Sequence, residues 1–87
     1  MIYQDTNMSQ DTLIRTFDDS IDPIELKWHR DDEDRAIVAV LKTDWKIQLE
    51  DELPRDLNTI VFIERGKWHR LIKGKNDLKI KIVKSYE

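Results

Sequence analysis

From Leu13 to Val83 the apolar residues of this chain fall into short runs, roughly ten residues apart, and none carries the i, i+3, i+4, i+7 stripe of an amphipathic helix. Leu13 to Phe17 is followed by Asp18, Asp19, Ser20, Asp22 and Pro23, residues that favour a turn. Ile24 to His29 alternates, with Ile24, Leu26 and Trp28 on one face and Glu25, Lys27 and His29 on the other. Ala36 to Leu41 is apolar on both faces, and so is Thr59 to Ile63. Between them Trp45, Ile47 and Leu49 alternate with Lys46, Gln48 and Glu50. Trp68 to Ile72 follows a tight turn at Arg65-Gly66-Lys67, where Gly66 is free to take positive φ. The last run points Leu78, Ile80 and Ile82 inward and Lys79 and Lys81 outward. This spacing predicts an all-β domain, a sandwich or barrel of seven or eight short antiparallel strands. Residues 1–10 have no period and are expected to form a flexible or extended arm ahead of a single domain over residues 11–87.

A domain of 87 residues buries only about 60% of its unfolded surface and is marginal by itself. With no cysteine, disulfides cannot add stability, whereas a bound metal or a second subunit can. The missing cysteines also remove thiol catalysis and agree with a reducing compartment. No apolar run is long enough for a membrane-spanning helix, and the polar, acidic start lacks the basic and apolar regions of a signal peptide. The expectation is a cytoplasmic protein without membrane contact. A net charge of −3 argues against a general nucleic-acid binder. The charge is uneven: acids dominate residues 1–35 and bases dominate residues 65–87. Acidic and basic strands lying side by side account for this, and scattered lysines on strand exteriors also block edge-to-edge association.

An antiparallel sheet usually keeps one wet face. Two strands that are apolar on both faces, Ala36 to Leu41 and Thr59 to Ile63, therefore call for a cover. A second copy of the chain is the simplest one, which predicts a homodimer. The tripeptide Trp28-His29-Arg30 recurs as Trp68-His69-Arg70, and these hold the only two histidines of the chain.

Around those histidines the sequence resembles the two motifs of cupins, small β-barrels that gather metal ligands inside. The second motif runs glycine, five residues, proline, one residue, glycine, two residues, histidine, with asparagine four beyond. Gly66 and His69 match it, while Asn58, Glu64 and Lys73 stand at the first glycine, the proline and the asparagine. In the first motif His29 matches the first histidine, Asp31 stands at the second, Arg35 at the glutamate and Lys42 at the glycine. The two spans cover about residues 24–84. The stretches from Trp28 to Arg35 and from Trp68 to Gly74 are also similar to small, uncharacterised cupin-like proteins of bacteria and phages. The resemblance implies a minimal cupin-like jelly-roll barrel. It implies no particular reaction, because one fold hosts many functions.

The resemblance further implies a metal site. A cupin metal is held by about three histidines and a carboxylate, and this chain offers His29, His69 and Asp31 as candidate ligands for one divalent transition metal. Two imidazoles and a carboxylate can serve such an ion. Arg35 at the usual carboxylate position opposes a cation; it would pair with Asp31 or grip an anion through its fork. Arg35, Arg70 and Gln48 are the candidates for contacting a small anionic ligand. Trp28 and Trp68 are expected to pack, Gly66 to shape a turn, and the Asp31-Asp32-Glu33-Asp34 run to be a solvated loop without the spacing of a calcium site. The serines lack a nucleophile-elbow context, and no catalytic residue can be named. The leading function is a binding or interaction module with a degenerate pocket for a small anion or a protein partner. The alternative is a metal-dependent small-molecule enzyme, a dioxygenase or isomerase, using His29, Asp31 and His69. A structural protein with a filled interior is the third.

Overall fold

A computed structural model describes residues 3–20 and 26–85. Among the described residues eight strands follow one another: β1 (Gln4–Asn7), β2 (Thr12–Phe17), β3 (Asp34–Ala39), β4 (Lys46–Leu49), β5 (Arg55–Asp56), β6 (Val61–Ile63), β7 (His69–Ile72) and β8 (Leu78–Ser85). They form two antiparallel sheets, one of five strands in the order β1-β2-β8-β3-β6 and one of three in the order β5-β4-β7. β8 lies between β2 and β3, so the first and last strands of the described residues both belong to the larger sheet. The described residues are therefore all-β, a small jelly roll whose two sheets are not closed by hydrogen bonds into a continuous barrel.

Period-2 patterning sets the core. Leu13, Arg15 and Phe17 of β2 are buried, as are Ile47 and Leu49 of β4 and Leu78, Ile80 and Ile82 of β8. With Ile37, Trp45, Leu57, Val61, Ile63 and Leu71 the apolar members of this set make one cluster fed by both sheets. Trp45 is the largest fully buried side chain; its indole N–H donates to the carbonyl of Asn76 at 2.6 Å, which satisfies the one polar atom of the ring. Phe17 packs on it with centroids 5.9 Å apart. Gly74 lies against this pair. A Cβ there would meet the Asp44 carboxylate and come within 2.6 Å of the Trp45 ring and 2.8 Å of the Trp45 amide nitrogen.

Three features add to the sequence reading or depart from it, each with a physical cause. The N-terminal segment is extended and supplies β1, whose polar residues are all exposed at the sheet edge, paired with β2 from Gln4↔Thr16 to Asn7↔Leu13. β5 is only two residues long, and a dipeptide of Arg and Asp carries no strand signature. The run Ile24 to His29 lies partly outside the described residues. Over its described part Leu26 packs on the core, yet Trp28 is exposed and the His29 ring turns inward. The expected face assignment is therefore reversed at Trp28 and His29. Residues 26–28 are not strand, and the pleat that enforces alternation is interrupted there.

Candidate functional site

The two Trp-His-Arg tripeptides lie against each other. His29 and His69 form an antiparallel bridge, each amide donating to the other's carbonyl at 3.0 and 2.9 Å. Residues directly opposite on antiparallel strands project to the same side. Both imidazoles accordingly enter the interior together, with ring centroids 4.3 Å apart at 60°. The turn before β7 contributes: Gly66 takes φ of 78°, and its amide donates to the carbonyl of Asp31 at 2.9 Å, tying the β7 turn to the residue that follows the first tripeptide.

The rings share one orientation. Nδ1 of His29 lies 2.9 Å from the carbonyl of Lys27, and Nδ1 of His69 lies 2.8 Å from that of Lys67. A carbonyl only accepts, so each Nδ1 carries the proton, and a neutral ring then leaves Nε2 as a lone pair. Nε2 of His29 is buried with no hydrogen-bond partner. Nε2 of His69 is 3.2 Å from Oδ2 of Asp31. Ligand atoms of His29, His69 and Asp31 all lie within 4.8 Å of one another.

Alternation along residues 31–35 puts Asp31, Glu33 and Arg35 together. Arg35 reaches Oδ2 of Asp31 with Nε at 3.4 Å and Oε1 of Glu33 with Nη2 at 3.0 Å, and Lys84 approaches the same Glu33 oxygen at 3.7 Å. Only Asp32 of the acidic run is exposed, and Glu33 is buried, so the expected solvated loop is instead the wall of the site. Two carboxylates are balanced by two cations here. Burial alone would raise the Asp31 carboxyl; the contact with His69, the Arg35 charge and the nearness of His29 outweigh it and hold its pKa below the ordinary value.

Arg15 comes from β2 of the larger sheet, opposite the sheet that carries His69. It is buried, paired with Asp5 at 2.8 Å and laid over the Tyr3 ring at 3.9 Å. Together with His29, His69 and Arg35 it lines a cavity of about 10 Å³ otherwise walled by Phe17, Ile37, Ile47, Leu71, Ile80 and Ile82. That space suits a water or an ion and is too small for an organic molecule. Arg15 and Glu33 were legible by parity alone: Arg15 alternates in phase with Leu13 and Phe17, and Glu33 in phase with Asp31 and Arg35.

The remaining candidates lie elsewhere. Gln48 and Arg70 face each other across β4 and β7, with two guanidinium nitrogens donating to Oε1 of Gln48 at 3.0 and 2.9 Å. Both belong to the outward-pointing set of their strands, whose neighbours Ile47, Leu49, His69 and Leu71 are buried. Trp28 and Trp68, expected to pack, are 43% and 40% exposed on that outer face.

The residues fit a metal. Two imidazole lone pairs and a carboxylate oxygen converge, His29 Nε2 is buried without a partner, and Glu33 offsets the charge of Arg35. The donor set is the two-histidine, one-carboxylate type that first-row divalent ions accept.

The described residues form an all-β jelly roll with a histidine pair and a carboxylate between its sheets, which sets the class of fold. Comparison with solved structures makes that class specific: the chain has the cupin fold. It is similar to a protein of Ralstonia eutropha provisionally assigned as a mannose-6-phosphate isomerase, at TM-score 0.70 and 16% identity, covering 99% of this chain and 84% of that one. A cupin-2 domain protein of Shewanella frigidimarina matches at TM-score 0.63 and 18% identity over 93% of this chain and 76% of the other. A cupin domain of Bordetella pertussis matches at TM-score 0.59 and 12% identity over 97% and 92%. No family model matches the sequence, and neither does any curated protein. At such identities the likeness is one of fold.

Proposed function

We propose that this chain is a cupin-fold binding module that holds one divalent transition-metal ion at Nε2 of His29, Nε2 of His69 and a carboxylate oxygen of Asp31. The observation that carries the reading is the orphaned, buried Nε2 of His29, aimed at the same space as the Asp31 carboxylate and the second imidazole. The carbonyls of Lys27 and Lys67 fix both rings in the tautomer a metal requires. A metal bound there would act as a Lewis acid and as a staple between the first tripeptide and β7. Arg35 supports the site by holding Asp31 and Glu33 in place. Both of its ion-pair partners are within the site, which disfavours the role of gripping an external anion. The small cavity beside the imidazoles favours a binding module over the isomerase or dioxygenase reading, since a sugar or similar substrate does not fit in it.

Titration with Co²⁺ or Zn²⁺ followed by calorimetry tests this. One equivalent should bind and raise the melting temperature, by an amount equivalent to about 2.7 kcal/mol at a hundredfold excess over Kd. His69→Ala and Asp31→Asn should each abolish the effect. Absence of binding by the intact chain overturns the proposal.

A homodimer is the second part of the proposal. Phe62 is 72% exposed, Ile60 59% and Val83 37%. Phe62 and Val83 border an apolar groove of about 450 Å³ with Ala36 on the outer face of the larger sheet. Apolar area of this kind, next to the short edge strand β6, is what an association surface offers. Sedimentation should give a dimer at micromolar concentration and a monomer for Phe62→Lys.

A further inference from the structure

The pairing of the two tripeptides has an outer side as well as an inner one. With His29 opposite His69, Trp28 stands opposite Arg70 and Arg30 opposite Trp68, all on the face away from the core. The result is a square with tryptophans at one pair of opposite corners and arginines at the other. Each guanidinium lies over the indole across from it, Arg30 over Trp68 at 5.1 Å and Arg70 over Trp28 at 5.0 Å. This contact holds the cation in place without neutralising it.

Charge sets the two arginines apart. Arg15, Arg35 and Arg55 each meet a carboxylate, Asp5, Asp31 with Glu33, and Glu52 respectively. Among the described residues no carboxylate lies within ion-pair distance of Arg30 or Arg70, although the chain has 18 acids. Arg70 uses Nε and Nη2 on Gln48, leaving Nη1 free to donate. Residues at diagonal positions of a β pair are about 7–8 Å apart. That spacing suits carboxylates two residues apart on an extended peptide, about 6.6–6.8 Å.

We infer that this face docks an extended acidic peptide segment of a protein partner, with carboxylates two positions apart on Arg30 and Arg70 and the methylene stems of those same side chains against Trp28 and Trp68. Tryptophan and arginine are the side chains that most often carry binding energy at protein interfaces. Two outward arginines are not the continuous basic track that a nucleic-acid backbone follows, so a peptide is the better occupant. The inference is independent of the metal proposal, because the docking residues and the metal ligands point to opposite sides.

The test uses a fluorescein-labelled dodecapeptide of alternating Glu and Val, read by anisotropy against the intact chain at two salt concentrations. Saturable binding that weakens with salt is expected, with at least a tenfold loss in Arg30→Ala and in Arg70→Ala and no change in Lys79→Ala, an exposed cation of β8 in the other sheet. Circular dichroism checks that each variant is folded. No binding, or binding that both arginine variants retain, overturns the inference. Arginine-dependent binding of an oligothymidylate in preference to the peptide also overturns it and makes the face a nucleic-acid site. Equal binding of a peptide with Lys in place of Glu overturns the role of charge.

Discussion

One pair of short segments presents two unlike faces. On the inner side of the Trp-His-Arg pairing, every described cation has an anionic partner: Arg35 meets Asp31 and Glu33, and Lys84 meets Glu33. On the outer side Arg30 and Arg70 meet only indole rings and, for Arg70, a neutral amide. The difference follows from solvent. Burying an unpaired charge is costly, so the interior must assemble its charges as a balanced set. Water screens the outer arginines, which can stay uncompensated until a partner arrives. The same repeated tripeptide thus yields a rigid, charge-neutral interior and an open, positively charged surface.

The comparison can be broken first at Arg35. Arg35→Ala would leave the Asp31 and Glu33 carboxylates facing each other half-desolvated, and should cost about 3 kcal/mol in urea unfolding. Arg70→Ala on the outer face should cost under about 1 kcal/mol by the same measurement. Equal losses would show that the two faces do not differ as described. Gly74→Ala is a control away from both faces. Its Cβ would collide with the Asp44 side chain and the Trp45 ring and backbone, and overpacking of that kind costs about 1–3 kcal/mol.

Acid sharpens the inner side further. Asp31 has a folded-state pKa below its unfolded value. Its stabilising contribution is therefore fully present above the unfolded pKa of about 3.9 and is lost as pH falls through the lower folded value. The stability gap between the intact chain and Asp31→Asn should hold near pH 5 and close below about pH 4. A gap that widens on acidification contradicts the assignment. The smallest expected effect is that of Trp28→Leu, which removes one cation–π contact worth about 0.5–1 kcal/mol at an exposed site.

Much of the fold was legible because it rests on alternation. The inward set Leu78, Ile80 and Ile82 and the set Trp45, Ile47 and Leu49 are buried as the pattern dictates. The candidate ligands His29, Asp31 and His69 converge, although only the resemblance to two cupin motifs pointed to them. What escaped the sequence depends on contacts distant in the chain. The pairing of β1 with β2 uses backbone bonds that exposed polar side chains do not announce. Trp28 reads as a core residue by its size and by the run before it, and the bend ahead of it turns it out. The recurrence of Trp-His-Arg was visible as letters, but only the β-bridge shows that the two copies face each other.

The most direct test of the metal assignment is ¹⁵N NMR of the two imidazoles, before and after one equivalent of Zn²⁺. The account predicts neutral rings protonated at Nδ1, with the Nε2 resonances of both His29 and His69 moving on metal addition. Rings protonated at Nε2, or resonances that Zn²⁺ leaves unmoved, would contradict it.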